Sequence, residues 1–394
     1  MCPSYRVTRD EQHTTRGRAN TLRLALSGQL GDEDLSGEAV HAALELCVSC
    51  KGCKRECPTG VDMARLKIEA LAAYRARHRL SLGEWVVAFL PRYAPYVASI
   101  ARFANLGGRV PGAAALLQWL LGFSPRRRLP RWQGDYLRGA PRRTPADDST
   151  REVVLFIDTF TNYFAVASAR AARRVLEAAG YRVHLNAVAR ERPLCCGRTF
   201  LSAGLVDAAK AEARRTLDAL LPFVRRGVAI VGLEPSCLLS MRDEFLTYRF
   251  GEDAALLARH ALLFEEFLLR EREAGRLELA LRPLAAAALV HAHCHQKAFA
   301  AAGPMEAVLG WIPGLVAHPV ETSCCGMAGA FGYEARHYEI SMRMGEASLL
   351  PAVRNAARKT LIVADGFSCR HQIRDGTLRT PLHVAQVLDR ALVC

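Results

Sequence analysis

Residues 323–332 read SCCGMAGAFG, and residues 194–200 read LCCGRTF. The sequence on either side of these two Cys-Cys-Gly triplets repeats as well. Upstream, VVLFIDTFTNYF (153–164) answers to AALVHAHCHQKAF (287–299), both strand-like at their start. The helical runs VASARAARRVLEAAG (166–180) and AAAGPMEAVLGWI (300–312) follow. Second strands are expected at Val183–Val188 and Leu315–Val320, just before the triplets. Downstream come helices at Val206–Leu220 and Tyr338–Val353. Third strands, VAIVGLEPSC (228–237) and TLIVADGFSC (360–369), each end at a cysteine, and a closing helix completes each half. Alternating strand and helix implies βαβ units and parallel sheets. The expected fold class is therefore α/β, with two repeats, 151–285 and 286–394, related by a pseudo-twofold axis. Sites in open α/β sheets lie beyond the carboxyl ends of the strands. Every cysteine of the repeats except Cys394 falls at or just after such an end, whereas core cysteines would sit inside strands or on inner helix faces. The glycine after each pair, Gly197 and Gly326, suits a tight turn or a close backbone approach to a cofactor.

The chain has 394 residues and 13 cysteines. With no apolar leader, such a chain is not expected to use them as disulfides. Residues 47–57 read CVSCKGCKREC and are followed by Pro58. Cys47, Cys50, Cys53 and Cys57 thus form C-x2-C-x2-C-x3-C-P, the spacing that wraps a cubane [4Fe-4S] cluster. A zinc ribbon would show two separated C-x2-C knuckles instead. A helix is expected before the loop, over Glu38–Leu46, and another after it, capped by Asp62. Cys2-Pro3 looks like the end of a further motif of this kind whose first three cysteines are missing. In two-cluster motifs the last cysteine ligates the other cluster. By that rule Cys2 completes the group of Cys47, Cys50 and Cys53, and Cys57 belongs elsewhere. The alternative is a single cluster closed by Cys57, with Cys2 an incidental thiol.

In the second repeat Cys294, Cys324, Cys325 and Cys369 make a full set of four thiolates, favouring a second metal centre, iron–sulfur or zinc. His293, His295, Lys297, Arg370 and His371 gather around them, and cationic groups there would favour thiolates. Matching Phe299 to Phe164 puts Thr159 opposite Cys294, so the first repeat keeps only Cys195, Cys196 and Cys237, a weaker candidate set.

The net charge is +14. It favours an acidic partner or an anionic surface, while the even spread of arginine argues against nucleic acid. The longest stretch free of charged side chains, Val110–Pro125, is shorter than the roughly 20 residues a spanning helix needs. The expected location is cytoplasmic, with contact at the inner face of a membrane as an option. Residues 1–80 form the ferredoxin-type helical domain and 81–150 a helical segment followed by a linker. Ser81–Phe123 is apolar and helical, broken at Pro91, Pro95 and Pro111. It reads as a helical subdomain packed on its neighbour, or more sharply as a docking face for membrane, quinone or partner. Ser124–Arg151, rich in Pro and Arg, reads as a linker.

These motifs resemble the cysteine-rich iron–sulfur oxidoreductases with paired CCG domains, which include the iron–sulfur subunits of glycolate oxidase and anaerobic glycerol-3-phosphate dehydrogenase and the CCG-bearing chain of heterodisulfide reductase. More narrowly, CPSYRVTRDEQHTTRGRAN, CVSCKGCKRECPTGVDM, HCHQKA and ETSCCGMAGAFGYE look like the C-terminal part of fused FAD-linked dehydrogenases acting on D-lactate or D-2-hydroxyglutarate. The resemblance implies an iron–sulfur electron-transfer module that takes electrons from an FAD-containing partner subunit or domain and passes them toward quinone or another acceptor. It implies no FAD site in this chain. Heterodisulfide reductase holds non-cubane clusters with C…CC…C-x2-C, but Gln372 and Ser240 stand where the last cysteine would follow Cys369 and Cys237. The alternatives are a self-contained oxidoreductase centred on the second repeat, or a fragment of a fused FAD/iron–sulfur dehydrogenase. The sequence assigns no catalytic residue.

Overall fold

The computed structural model describes residues 2–31, 34–106, 112–137, 151–185 and 192–393. Pro111, Cys394, residues 138–150 of the Pro/Arg-rich segment and the end of the expected strand Val183–Val188 lie outside them.

Two parallel sheets carry the repeats. The first contains β1 (Glu152–Phe156), β2 (Arg182–Leu185), β3 (Ala229–Gly232) and β4 (Ala261–Leu263) in the order β2-β1-β3-β4. The second contains β5 (Ala286–Val290), β6 (Leu315–Pro319) and β7 (Leu361–Val363) in the order β6-β5-β7. Every pairing is parallel, as in Val154 opposite His184 and Leu289 opposite Ile362. The fourth strand of the first sheet was not expected. Its counterpart in the second sheet is a single parallel bridge from Val363 to Leu382. A helix leaves each of these positions, Phe264–Glu273 and Val384–Ala391, starting with a Glu266 or Gln386 side chain that accepts from the cap backbone.

β1 is buried on both faces, as parallel strands covered by helices must be. Val153 and Leu155 enter a core that also holds Ala288, Val290, Val363 and Leu388 of the second repeat. Val154 and Phe156 point the other way, among Phe200, Leu217 and Ile230. The two repeats therefore share one hydrophobic core and cannot be peeled apart without exposing it. At about 1.5–3 kcal/mol per buried large aliphatic side chain, that shared layer is a principal source of stability.

Three local expectations need correction. The strand-like stretch 153–164 ends at Phe156, because Asp158 caps a helix, Thr159–Phe164, by accepting from the Phe160 and Thr161 amides. The third strands stop at Gly232 and Val363, so Cys237 and Cys369 lie in the first turns of the helices Pro235–Met241 and Phe367–Thr377. The helix expected over Tyr338–Val353 is two helices, Tyr338–Glu346 and Leu349–Asn355.

The N-terminal part is helical: Pro3–Thr8, Thr15–Leu26, Glu38–Glu45, Gly52–Glu56 and Met63–Arg77. Asp62 caps the last of these, its Oδ1 accepting from the Arg65 amide at 3.2 Å. Beyond it, Pro91 opens the helix Leu90–Ser99, but Pro95 lies within that helix and does not break it. Tyr96 on this helix, Ile100 just after it, Phe103 on the helix Ala101–Ala104, and Leu116, Trp119 and Leu120 on the helix Ala113–Leu120 are exposed.

Candidate metal centres

The loop of Cys47, Cys50 and Cys53 is wound tightly, with Ser49 and Lys51 in the left-handed region at φ +50 and +59. Cys2 is brought to it by a buried arginine. Arg18 Nη1 donates to Cys2 Sγ (3.0 Å), Nη2 to Ser4 Oγ (2.8 Å) and Nε to the Ala43 carbonyl (2.9 Å), tying three helices together. Burial opposes ionisation of Cys2, but the Arg18 charge and the Ser4 bond outweigh it and hold the thiol below its ordinary value. Cys47, Cys2 and Cys294 all act electrostatically on Cys50, which burial pushes well up. Lys67 donates to the Cys47 carbonyl at 2.6 Å. Cys57 faces elsewhere. Its sulfur is 3.1 Å from Thr59 Oγ1, and that contact, with the Val61, Thr59 and Gly60 amides, holds its thiol down. Cys2 and Cys47 thus act on Cys50, and Cys47 on Cys53, while Cys57 bonds to Thr59. No sequence signal pointed to Arg18.

In the second repeat His293 caps the helix Cys294–Ala298, its Nδ1 accepting from the His295 amide at 3.1 Å. Cys294 is the first helical residue. Thr159 holds that place in the first repeat and Asp158 the capping place, so the repeat alignment is met in space. The four thiols interact closely: Cys324 with Cys294 and Cys325, and Cys325 with Cys369. Cys294 is pushed well down, first by the Cys324 thiol and then by His293, with burial opposing. Cys325 is pushed down by Cys324, Cys369 and His291. Cys324, Cys325 and Cys369 are buried, while Cys294 is half-buried.

The surrounding groups take different parts. Lys297 Nζ binds the Thr322 carbonyl and hydroxyl, both at 2.8 Å, and so anchors the loop before Cys324. Arg370 is buried and donates to the Ala364 and Asp365 carbonyls at the end of β7. His295 and His371 are not the cations expected. Burial pushes His295 well below its ordinary value and His371 down to about 3. Tyr333 meets His371 Nδ1 at 3.0 Å. Gln372, where the non-cubane pattern has cysteine, is wholly buried and donates to the Ser341 carbonyl at 3.0 Å.

The first repeat mirrors part of this. The Gly197 amide lies 3.4 Å from Cys195 Sγ, as the Gly326 amide lies 3.4 Å from Cys324 Sγ. Both glycines are left-handed, at φ +79 and +89. A Cβ there would meet Ala209 O at 2.7 Å and Ser341 O at 2.3 Å, so the close approach is to the next helix. Cys196 touches Cys195 and Cys237. The Cys196 bond opposes a rise at Cys237, but burial and the Asp158 and Glu234 charges carry it to about 12. All three thiols here are pushed up, whereas in the second repeat Cys324 and Cys369 are pushed up and Cys294 and Cys325 down.

A single zinc needs every ligand sulfur about 2.3 Å from one point. Among the described residues no group of three or more His, Cys, Asp or Glu side chains is placed to hold a single metal ion.

The ferredoxin-type loop also lies against the second repeat. Val48, Cys50 and Cys294 pack on the cluster of buried residues that contains Cys324, Cys325 and Cys369. Arg55 Nη1 donates to the Lys297 carbonyl at 2.6 Å. Lys51 is buried with Asp243 at 2.5 Å and Glu244 at 3.0 Å; burial opposes its charge, but these carboxylates hold its value up.

The 4Fe-4S dicluster domain matches residues 1–61, a span that contains Cys2, Cys47, Cys50, Cys53 and Cys57. D-2-hydroxyglutarate dehydrogenase of Escherichia coli is 26% identical over 424 residues, covering 95% of this chain and 40% of that protein. One of the subunits of the anaerobic glycerol-3-phosphate dehydrogenase of Escherichia coli is 27% identical, covering 85% of this chain and 83% of that protein. The glycolate oxidase iron-sulfur subunit of Escherichia coli is 23% identical, covering 99% of this chain and 91% of that protein. This chain spans about two fifths of the length of the D-2-hydroxyglutarate dehydrogenases it matches. Motifs, α/β repeats and relatives agree: the chain resembles the iron–sulfur parts of flavin-linked dehydrogenases along nearly its whole length.

Proposed function

We propose that this chain is an electron-transfer module serving a flavin-linked 2-hydroxy-acid dehydrogenase, of the D-lactate, glycolate or D-2-hydroxyglutarate type. One observation carries the reading: Cys50 of the ferredoxin-type loop and Cys294 of the second repeat pack on the same buried group of cysteines. A bound iron–sulfur cluster supplies one-electron transfer, which matches the stepwise release of electrons from a two-electron flavin. Cys2, Cys47, Cys50 and Cys53 would hold one [4Fe-4S] cluster, and Cys294, Cys324, Cys325 and Cys369 a second. Arg18, Lys67 and Lys51 place positive charge around the first group and support its negative charge. An FAD-containing subunit or domain supplies the hydroxy-acid chemistry.

The test is anaerobic reconstitution followed by iron and acid-labile sulfide analysis with EPR. Reduced-state EPR signals and sulfide matching iron support the reading. Zinc without acid-labile sulfide overturns it.

The half-exposed Cys294, beside three buried thiols, favours a second reading, in which the second repeat is itself a reaction centre. Turnover of a heterodisulfide or hydroxy acid by the reconstituted chain without a flavoprotein would establish it.

The exposed Tyr96, Ile100, Phe103, Leu116, Trp119 and Leu120, on a chain of net charge +14, support contact with an anionic membrane surface and its quinone pool. No helix among the described residues is long and apolar enough to cross a membrane.

A further inference from the structure

Three side chains that flank cysteines of three different groups meet at one place. Lys51 follows Cys50, His295 follows Cys294, and Arg198 stands two residues after Cys196. Glu244 Oε1 is 3.0 Å from Lys51 Nζ and 3.1 Å from Arg198 Nη1. Arg198 Nη2 is 3.2 Å from His295 Nε2, and that nitrogen is 3.0 Å from the carbonyl of Ser49, the residue before Cys50. The contacts close a ring: Ser49 and Lys51, Glu244, Arg198, His295, and back to Ser49.

The ring is poorly solvated, since the side chains of Lys51, Glu244 and Arg198 are 2%, 9% and 21% exposed. Charges act over longer distances there than in water. Lys51, Lys54, Arg65 and Arg198 pair there with Asp62, Asp243 and Glu244. A guanidinium keeps its charge at any physiological pH. Cys196 and Cys237 of the first repeat and Cys294 of the second all act electrostatically on Arg198. One ring nitrogen cannot accept from a guanidinium and donate to a carbonyl together, so at Nε2 a neutral His295 either accepts from Arg198 or donates to the Ser49 carbonyl, according to its tautomer.

We propose that Arg198 is a positioning residue for the cysteine group of the second repeat: its fixed charge favours an added electron there, and its contacts with His295 and with Glu244, the partner of Lys51, join that group to the loop that bears Cys50. The inference rests on the iron–sulfur reading above. The electron comes from the reduced flavin of the partner, and the guanidinium only sets how readily it is accepted.

The test uses the full chain, reconstituted anaerobically, as wild type, Arg198→Gln and Arg198→Lys, with iron and sulfide content measured before EPR-monitored redox titration. Absence of iron and sulfide from the wild type sinks the iron–sulfur reading itself. Given a loaded wild type, Arg198→Gln is expected to keep its iron and to shift the reduced-to-oxidised ratio of an EPR signal toward oxidised by tenfold or more at fixed potential, about 59 mV for one electron. Arg198→Lys is expected to restore most of that shift. Unchanged potentials, failure of lysine to restore the shift, or loss of iron from Arg198→Gln would each overturn the inference.

Discussion

Arg18 Nη1 stands 3.0 Å from the sulfur of Cys2, and through its other two nitrogens the same side chain holds Ser4 and the Ala43 carbonyl. A residue 1% exposed thus fixes the cysteine farthest in sequence from its group. Removing it leaves a buried carbonyl and hydroxyl without their donor. Hydrogen bonds to charged groups contribute about 1.5–3 kcal/mol each. Arg18→Met is expected to cost about 3 kcal/mol in chemical denaturation. Arg18→Lys, lacking the planar fork, is expected to recover less than half of that loss.

Cys2 and Cys57 compete for the same role on paper. With Cys2 near Arg18 and Cys57 turned toward Thr59, Cys2→Ser is expected to abolish the EPR signal of the N-terminal cluster and Cys57→Ser to leave it. The opposite pattern would restore the single-motif assignment.

Gly326 combines a left-handed backbone with a Cβ position 2.3 Å from Ser341 O. Gly275 has φ +67 and nothing within 4 Å of its Cβ position. A left-handed alanine alone costs about 1–2 kcal/mol. Gly275→Ala should show only that cost in denaturation, and Gly326→Ala clearly more, because a backbone oxygen must move. Equal losses would remove the helix contact as the reason for the glycine.

Glu271 is held down to about 2, first by Arg276, with the Tyr181 hydroxyl at 2.8 Å and Arg270 adding to it and burial opposing. Its folded value lies below its ordinary 4.5, so its contribution to stability is complete above about pH 4.5 and is lost as the pH falls toward 2. The stability difference between wild type and Glu271→Gln is therefore expected to shrink between pH 5 and pH 3. A difference that stays constant over that range would show that the carboxylate charge is not what Arg276 and Tyr181 use.

Vesicle co-sedimentation tests the apolar helices. Binding to anionic vesicles is expected to fall severalfold in Phe103→Glu and Trp119→Glu, with no change in thermal stability, because both side chains are at least 73% exposed. Equal binding by the variants would leave that face without a membrane role.

The sequence made some features plain because they are local. Spacing alone marked Cys47, Cys50 and Cys53, and the repeated run of strand, helix and Cys-Cys-Gly marked two parallel sheets. The correspondence of Thr159 with Cys294 also followed from a simple offset. Other features depend on contacts between residues far apart in the chain, which periodicity does not record. Arg18 looks like any helix arginine until Cys2 and Ala43 arrive beside it. Glu244 and Ser49 carry no motif, yet they join the ferredoxin-type loop to both repeats. The extra strand at Ala261–Leu263 is too short to announce itself, and Asp158 ended a strand-like run by capping a helix. His295 and His371 read as cations in a list of residues, whereas burial opposes a charge on either.

The helix Pro3–Thr8 does not rest on its neighbours in sequence alone. Val7 packs with Phe331 and Met344, and Arg343 donates to the Val7 carbonyl. The surface that seats Cys2 is therefore made by residues synthesised more than 300 positions later. Arg18 and Ser4 can meet Cys2 early, but the helix that carries it is packed on its far side only once the second repeat has folded.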